Sequence, residues 1–216
     1  NIPINVKELG VDLLSMSAHQ FYGPKGAGAL YVREGLRIIP LIYGGIQEGG
    51  RRAGTENVPA IVGMGKAAEL AGAEMDERAA HVRRLRDRLI EGVTKVANVQ
   101  LTGHNAERLP GHASFTVEYI EGEAMLLFLA AKGMYIASGS ACSSKALKVS
   151  PVLLSMGIPA GVAQGSIVFT LGKGNTDEEI DYALNEFPQI ITKLREISPY
   201  AKGWDEKDES HKCFTT

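Results

Sequence analysis

The chain has 216 residues, enough for one or two domains with cores of their own. Hydrophobic residues make up 44% and charged residues 22%, and no apolar run approaches the ~18 residues a membrane helix needs, so a soluble globular protein is expected. A net charge of −2 excludes a general electrostatic pull toward nucleic acid or an anionic membrane. The two cysteines, Cys142 and Cys213, exclude a disulfide framework and, with no secretory pattern at the start, fit a reducing cytoplasm.

In chain order, the opening Asn-Ile-Pro-Ile-Asn-Val has no initiator Met and runs almost directly into an apolar segment, so a further portion upstream is expected. Residues 11–16 and 28–32 read as short strands joined by a Gly/Pro-rich connection. From Val58 to about Val96 apolar residues recur at helical spacing, Ile61, Met64, Leu70, Met75, Val82, Leu85 and Leu89 among them. This predicts one very long or once-broken helix.

Residues 98–102 and 114–119 alternate as strands do, and 121–132 return to helical spacing until Gly133 stops them. A brief strand at 134–137 leads into a small-residue loop at 138–144, then a short helix near 151–156 and a strand at 166–171. Thr176-Asp-Glu-Glu179 is a capping box that opens a last amphipathic helix, reaching to about Glu196. After Pro199 the tail is charged, carries the single Trp, and is expected to be mobile or docked on a partner.

Chemistry concentrates at Ser15-Met16-Ser17-Ala18-His19-Gln20-Phe21-Tyr22-Gly23-Pro24-Lys25-Gly26, a strand end running into a glycine loop that could hold an anion with hydroxyls and amides. It is not a nucleotide P-loop, because Lys25 is followed by Gly26-Ala27-Gly28 and not by Ser or Thr. Cys213 beside His211 offers too few ligands for a metal site, and His81, His104, His112 and His211 read as ordinary surface or loop residues.

The segment Ser-Ala-His-x-Phe-Tyr-Gly-Pro-Lys-Gly at 17–26 resembles the lysine segment of pyridoxal-phosphate (PLP) cysteine desulfurases of the NifS/IscS type. Three further segments agree in order and spacing. They are Gly-Gly-Ile-Gln-Glu-Gly-Gly-Arg-Arg-Ala-Gly-Thr-Glu-Asn at 44–57, Ser-Gly-Ser-Ala-Cys-Ser-Ser at 138–144 and Ser-Ile-Val-Phe-Thr-Leu-Gly at 166–172. The resemblance covers nearly the whole chain but only the later half of the family's length, beginning after the family's residues that contact the cofactor ring.

That resemblance implies an α/β protein of PLP-transferase fold type I. Residues 1–95 would be a remnant of the large domain with the long connecting helix, 96–197 the smaller C-terminal α+β domain, and 198–216 a tail. It implies PLP as cofactor, L-cysteine as substrate, alanine as product, an iron–sulfur scaffold or other sulfur acceptor as partner, and a homodimer. Cys142 would carry the persulfide, Ser17 and His19 would contact the cofactor phosphate, and Thr55 would reach the phosphate of the neighbouring subunit.

Two positions depart from the family pattern. Gln20 stands where the resemblance places the lysine that holds PLP, and an amide nitrogen is no nucleophile because its lone pair is delocalised into the carbonyl. Lys25 belongs to the Gly-Pro-Lys-Gly stretch, which is not the PLP-binding position. Val168 stands where the resemblance places an arginine that pairs with the substrate carboxylate, a contact valine cannot make. The chain therefore reads as a desulfurase-like protein with impaired catalysis, with or without a second chain supplying the missing half. A non-enzymatic persulfide relay or scaffold-binding subunit built on Cys142 is the alternative, and a folded relic without sulfur chemistry is a third reading.

Overall fold

The computed structural model describes residues 2–138 and 149–199. They form two compact units that divide between Glu77 and Arg78. Among the described residues no helix is long and apolar enough to cross a membrane. Cys142, Cys213, His211 and the charged tail lie outside the described residues.

The first unit opens with α1 (Val6–Leu9), a single turn capped by Asn5, whose side-chain oxygen accepts from Lys7 N at 3.1 Å. Strand β1 (Leu13–Ser17) pairs antiparallel with β2 (Gly28–Val32), Leu13 opposite Val32 and Ser17 opposite Gly28. β1 starts two residues later than the apolar run at Val11 suggests, because Asp12 already belongs to the bend that ion-pairs with Arg33. Gly28 has a structural reason: a Cβ there would meet Met16 O at 2.9 Å, so the two strands approach more closely than any side chain allows.

Helix α2 (Val58–Ala73) follows, with Asn57 accepting from Ala60 N at 3.3 Å. The long helical pattern is thus realised as two helices. α2 ends at Ala73, Glu74 adopts φ −103 and ψ 8, and α3 (Met75–Val93) begins immediately after. Of these, α3 residues Leu85, Leu89 and Val93 belong to the core of the second unit, so that unit takes in most of α3.

The second unit is built on an antiparallel sheet of β3 (Val99–Leu101), β4 (His112–Val117), β5 (Ala137–Ser138) and β6 (Ser166–Thr170), in the order β3-β4-β6-β5. The two central strands pair Ala113 with Phe169 and Phe115 with Ile167. Because side chains alternate across a strand, Ala113, Phe115, Val117, Ile167 and Phe169 share one face. There they meet α3, α4 (Gly122–Ala131) and α7 (Asp177–Ile197).

Phe169 sits edge-on to both Phe115 and Phe187, at 6.0 and 6.1 Å between ring centres. Each such pair contributes about 0.5–1.5 kcal/mol beyond the area it buries. The capping box at the start of α7 is present in full: Thr176 accepts from Glu179 N, and the Glu179 carboxylate accepts from Thr176 N at 3.2 Å. Two short helices, α5 (Pro151–Ser155) and α6 (Ala160–Ala163), precede β6. Of these, α6 is built from Ala, Gly and Val and carries no periodic signal of its own.

Candidate functional site

The strand end of β1 delivers the first group of site residues. After Ser17 the chain enters a tight 3-10 turn, Ala18–Phe21, that ends at Tyr22 in the left-handed conformation, φ +69. Ala18 is fully buried and anchors the turn at both ends: its N–H donates to Ala27 O at 3.0 Å, and its carbonyl accepts from Gly23 N at 2.8 Å. Gly23 lies so close that a Cβ there would stand 2.9 Å from the Ala18 Cβ. A buried hub under a closed turn leaves His19 and Gln20 exposed side by side, with Ser17 half-buried at the strand end.

These three side chains are linked. Ser17 Oγ lies 3.0 Å from His19 Nδ1, and Gln20 Nε2 lies 3.2 Å from His19 Nε2. An amide nitrogen only donates, so His19 Nε2 accepts, and the ring hydrogen sits on Nδ1 facing the Ser17 hydroxyl oxygen. Lys25 is exposed in the following turn, beside Gly26 at φ +87, and makes no hydrogen bond among the described residues.

Thr55 is exposed in the loop before α2, next to Gly54 at φ +101, whose N–H donates to the Gln47 side chain at 3.3 Å. It has no hydrogen bond to Ser17, His19 or Gln20. Cys142 lies outside the described residues.

A hydroxyl, an imidazole and an amide on one exposed turn suit the phosphate of PLP, which needs donors. They do not suit a covalently held PLP. The side chain at position 20 is an amide already engaged with His19, and no amine occupies that place.

Val168 is the second departure from the family pattern. It lies on β6, half-buried, between Ser114 of β4 and Ala137 of β5. It helps to line a cavity of about 530 Å³ on the sheet face opposite the aromatic core, with Ser114, Arg108, His112, Leu153 and Met156. Arg108 and His112 have no local sequence signal. His112, read from sequence as a surface or loop residue, stands on β4 and half-buried in this cavity. Its ring is kept neutral more readily than usual, first by burial and then by the Arg108 charge. His81, read the same way, is half-buried, its Nε2 2.9 Å from the carbonyl of Asn175.

Comparison with known proteins places these features in a wider set. The family model described as aminotransferase class-V matches residues 1–183. The chain is 53% identical over 199 residues to a cysteine desulfurase IscS of Methanosarcina thermophila, a match that covers 92% of this chain and 49% of the relative. Among solved structures, a NifS-like protein from Rickettsia africae superposes with a TM-score of 0.81 at 32% identity, over 88% of this chain and 50% of that one. A structure of SspA in complex with cysteine superposes with a TM-score of 0.59 at 30% identity, over 80% of this chain and 47% of that one. The chain therefore spans about half the length of the relatives it matches.

Proposed function

The chain belongs to the class-V aminotransferase family, and we propose that it corresponds to the later half of a cysteine desulfurase-type protein whose own catalysis is impaired. The observation that carries this reading is Gln20. An amide bonded to His19 stands in the turn that follows β1, where the resemblance calls for an amine.

When bound, PLP would supply the electron sink for cleaving the carbon–sulfur bond of L-cysteine. On this chain Ser17 and His19 would orient its phosphate and Gln20 would leave it unattached. At Val168 no cation would meet the substrate carboxylate, so both attachment and orientation of reactants are weakened together. Loss of covalent attachment and loss of substrate positioning each lower the rate, since orientation supplies several kcal/mol of a typical barrier reduction.

The family's homodimeric state is part of the same proposal. In the first unit Ile39, Leu41, Tyr43 and Ile46 are 85%, 94%, 75% and 90% exposed, an apolar stretch that a partner would cover. Thr55 follows within the same part of the chain, which supports its assignment to a phosphate contact across a subunit interface. A cytoplasmic location and delivery of sulfur to an iron–sulfur scaffold or another acceptor complete the reading.

The test is release of alanine and sulfide from L-cysteine, with PLP present. The chain is assayed alone and mixed with the first half of the Methanosarcina thermophila relative. No alanine above background in either mixture supports impairment, and turnover at the rate of the intact relative overturns it.

A second reading is favoured by one observation, the intact Ser-Gly-Ser-Ala-Cys-Ser-Ser segment around Cys142 beside the altered positions 20 and 168. In a persulfide relay the Cys142 thiolate attacks the outer sulfur of a donor persulfide, and the donor leaves as a thiol. That chemistry needs neither PLP nor an arginine at 168. A mass gain of one sulfur atom at Cys142, after incubation with an active desulfurase and cysteine, distinguishes it from simple impairment.

A further inference from the structure

We propose that the groove between the 118–121 loop and α6 is the docking site of this chain's own C-terminal segment, with the Trp204 side chain seated in the groove and Lys202 facing Glu118 and Glu121. The site lies in the second unit and depends neither on PLP nor on positions 20 and 168.

The first argument is the groove itself. Tyr119, Ile120, Pro159 and Val162 give it apolar walls around about 270 Å³, and Glu118 and Glu121 are the charged members of its lining. That volume lies below the ~300–1,000 Å³ of sites for drug-sized ligands and suits one large side chain. The walls are fixed before anything binds. Glu118 N–H donates to Asn98 O at 3.0 Å, Gly122 N–H donates to Gln164 O at 2.9 Å, and Tyr119 is held in the left-handed conformation, φ +68. Filling a preformed groove costs little further ordering.

The second argument is where the described chain ends. Arg195 Nε, near the end of α7, donates to Glu118 O at 3.4 Å, and the Ser198 hydroxyl donates to Tyr119 O. Ser198 leaves the helix at φ −74 and ψ 128, the extended conformation that a residue before proline takes. The C-terminal segment therefore sets out from a side chain already bonded to the wall of the groove. Ile197, the last residue of α7, is 67% exposed, further apolar surface at the point of departure. Residues 200–204 span up to about 17 Å when extended, at ~3.4 Å each, which is ample for Trp204 to reach the groove.

The third argument is complementarity. Tyr200-Ala-Lys202-Gly-Trp204 has an aromatic residue at each end and one charge, which is positive, and the acids of the tail begin only at Asp205. Neither Glu118 nor Glu121 forms an ion pair among the described residues. An aromatic side chain filling a pocket is the usual anchor of a binding interface. A short tether presents that anchor at an effective concentration on the order of millimolar, so one anchor and one charge pair suffice.

Trp204 is the single tryptophan of the chain, so its fluorescence reads the site directly. The experiment is emission and acrylamide quenching of the whole chain over a range of protein concentrations, in buffer and in urea. The expected result is emission blue-shifted from that of the urea-unfolded chain and weaker quenching, both independent of protein concentration. Val162→Glu should shift the emission to the red and restore quenching while circular dichroism stays unchanged. Because Val162 is half-buried in α6, Glu121→Lys is the second variant: residue 121 is exposed and its side chain makes no capping hydrogen bond to α4. It should raise the ratio of undocked to docked chains by up to about fivefold, the limit for an exposed charge pair, and Lys202→Glu on that background should reverse most of the change. Trp204 as exposed in buffer as in urea, protection that grows with protein concentration and so comes from a second copy, or protection that neither variant lowers would overturn the proposal.

Discussion

Gln20 Nε2 and His19 Nε2 stand 3.2 Å apart, and the far side of the same imidazole is 3.0 Å from Ser17 Oγ, so one exposed turn carries a continuous chain of three polar side chains. The amide completes this chain at the position where the resemblance places a lysine. A consequence is directly measurable. Incubated with PLP and reduced with borohydride, the native chain should carry no cofactor adduct, whereas Gln20→Lys should carry one that peptide mapping places at residue 20. An adduct on Lys25 of the native chain would show that the exposed turn amine takes over, and would overturn the reading of Gln20 as a lost anchor.

Acid stability should depend on Asp177 at the start of α7. Both its carboxylate oxygens accept from Arg84, at 2.6 and 2.8 Å, and Arg88 adds a contact at 3.0 Å, which together bring its pKa down to about 2, the Arg84 hydrogen bonds contributing most. A carboxylate with a lowered folded-state pKa contributes stability above its ordinary pKa and loses it as pH falls toward about 2. Arg84→Ala should therefore lower stability, measured by urea unfolding followed by circular dichroism, at neutral pH, and the difference from the native chain should vanish as pH falls toward about 2. The pair is solvent-exposed, so the difference should shrink in high salt. A stability difference at low salt that is absent at neutral pH, or that persists undiminished near pH 2, would remove this account.

The aromatic trio should dominate the stability of the second unit. Phe169 touches Phe115 on the neighbouring strand and Phe187 on α7, and Phe115 and Phe187 are almost completely buried. Phe169→Ala should cost about 3–5 kcal/mol in urea unfolding, the usual penalty for emptying an aromatic site. A loss below about 1 kcal/mol would mean that the site collapses and that the sheet–helix contact is not what holds this unit together.

Much of the local structure was legible because it follows from neighbouring residues. The capping box at Thr176 needs only residues three apart, and it forms as the spacing predicts. Both strands of the first unit, and the turn between them, follow from an apolar run meeting Gly and Pro. The break at Glu74 was legible as a possibility only, since the apolar stripe continues through it and the choice between one helix and two rests on what each half packs against.

Pro188 shows the reverse case. In isolation it should end or kink a helix at a cost of about 3 kcal/mol, yet α7 runs through it to Ile197. Phe187, Ile190, Ile191 and Leu194 are all buried on the flanking turns, and each is worth about 1.5–3 kcal/mol of burial. Tertiary packing outweighs the local penalty.

The amino-acid sequence by itself determined the family likeness, the amide at position 20 and the missing cation at 168, because a side chain's reactivity is a property of its own atoms. Only the tertiary structure decided what surrounds those positions. The order β3-β4-β6-β5 sets Val168 between Ser114 and Ala137, residues 54 and 31 positions away in the chain, and turns the same face toward Arg108 and His112. Which strands become neighbours depends on long-range burial against α3, α4 and α7, and no local pattern encodes it. The same burial brings Arg108 and His112, which read in sequence as surface or loop positions, into the lining of one cavity with Val168.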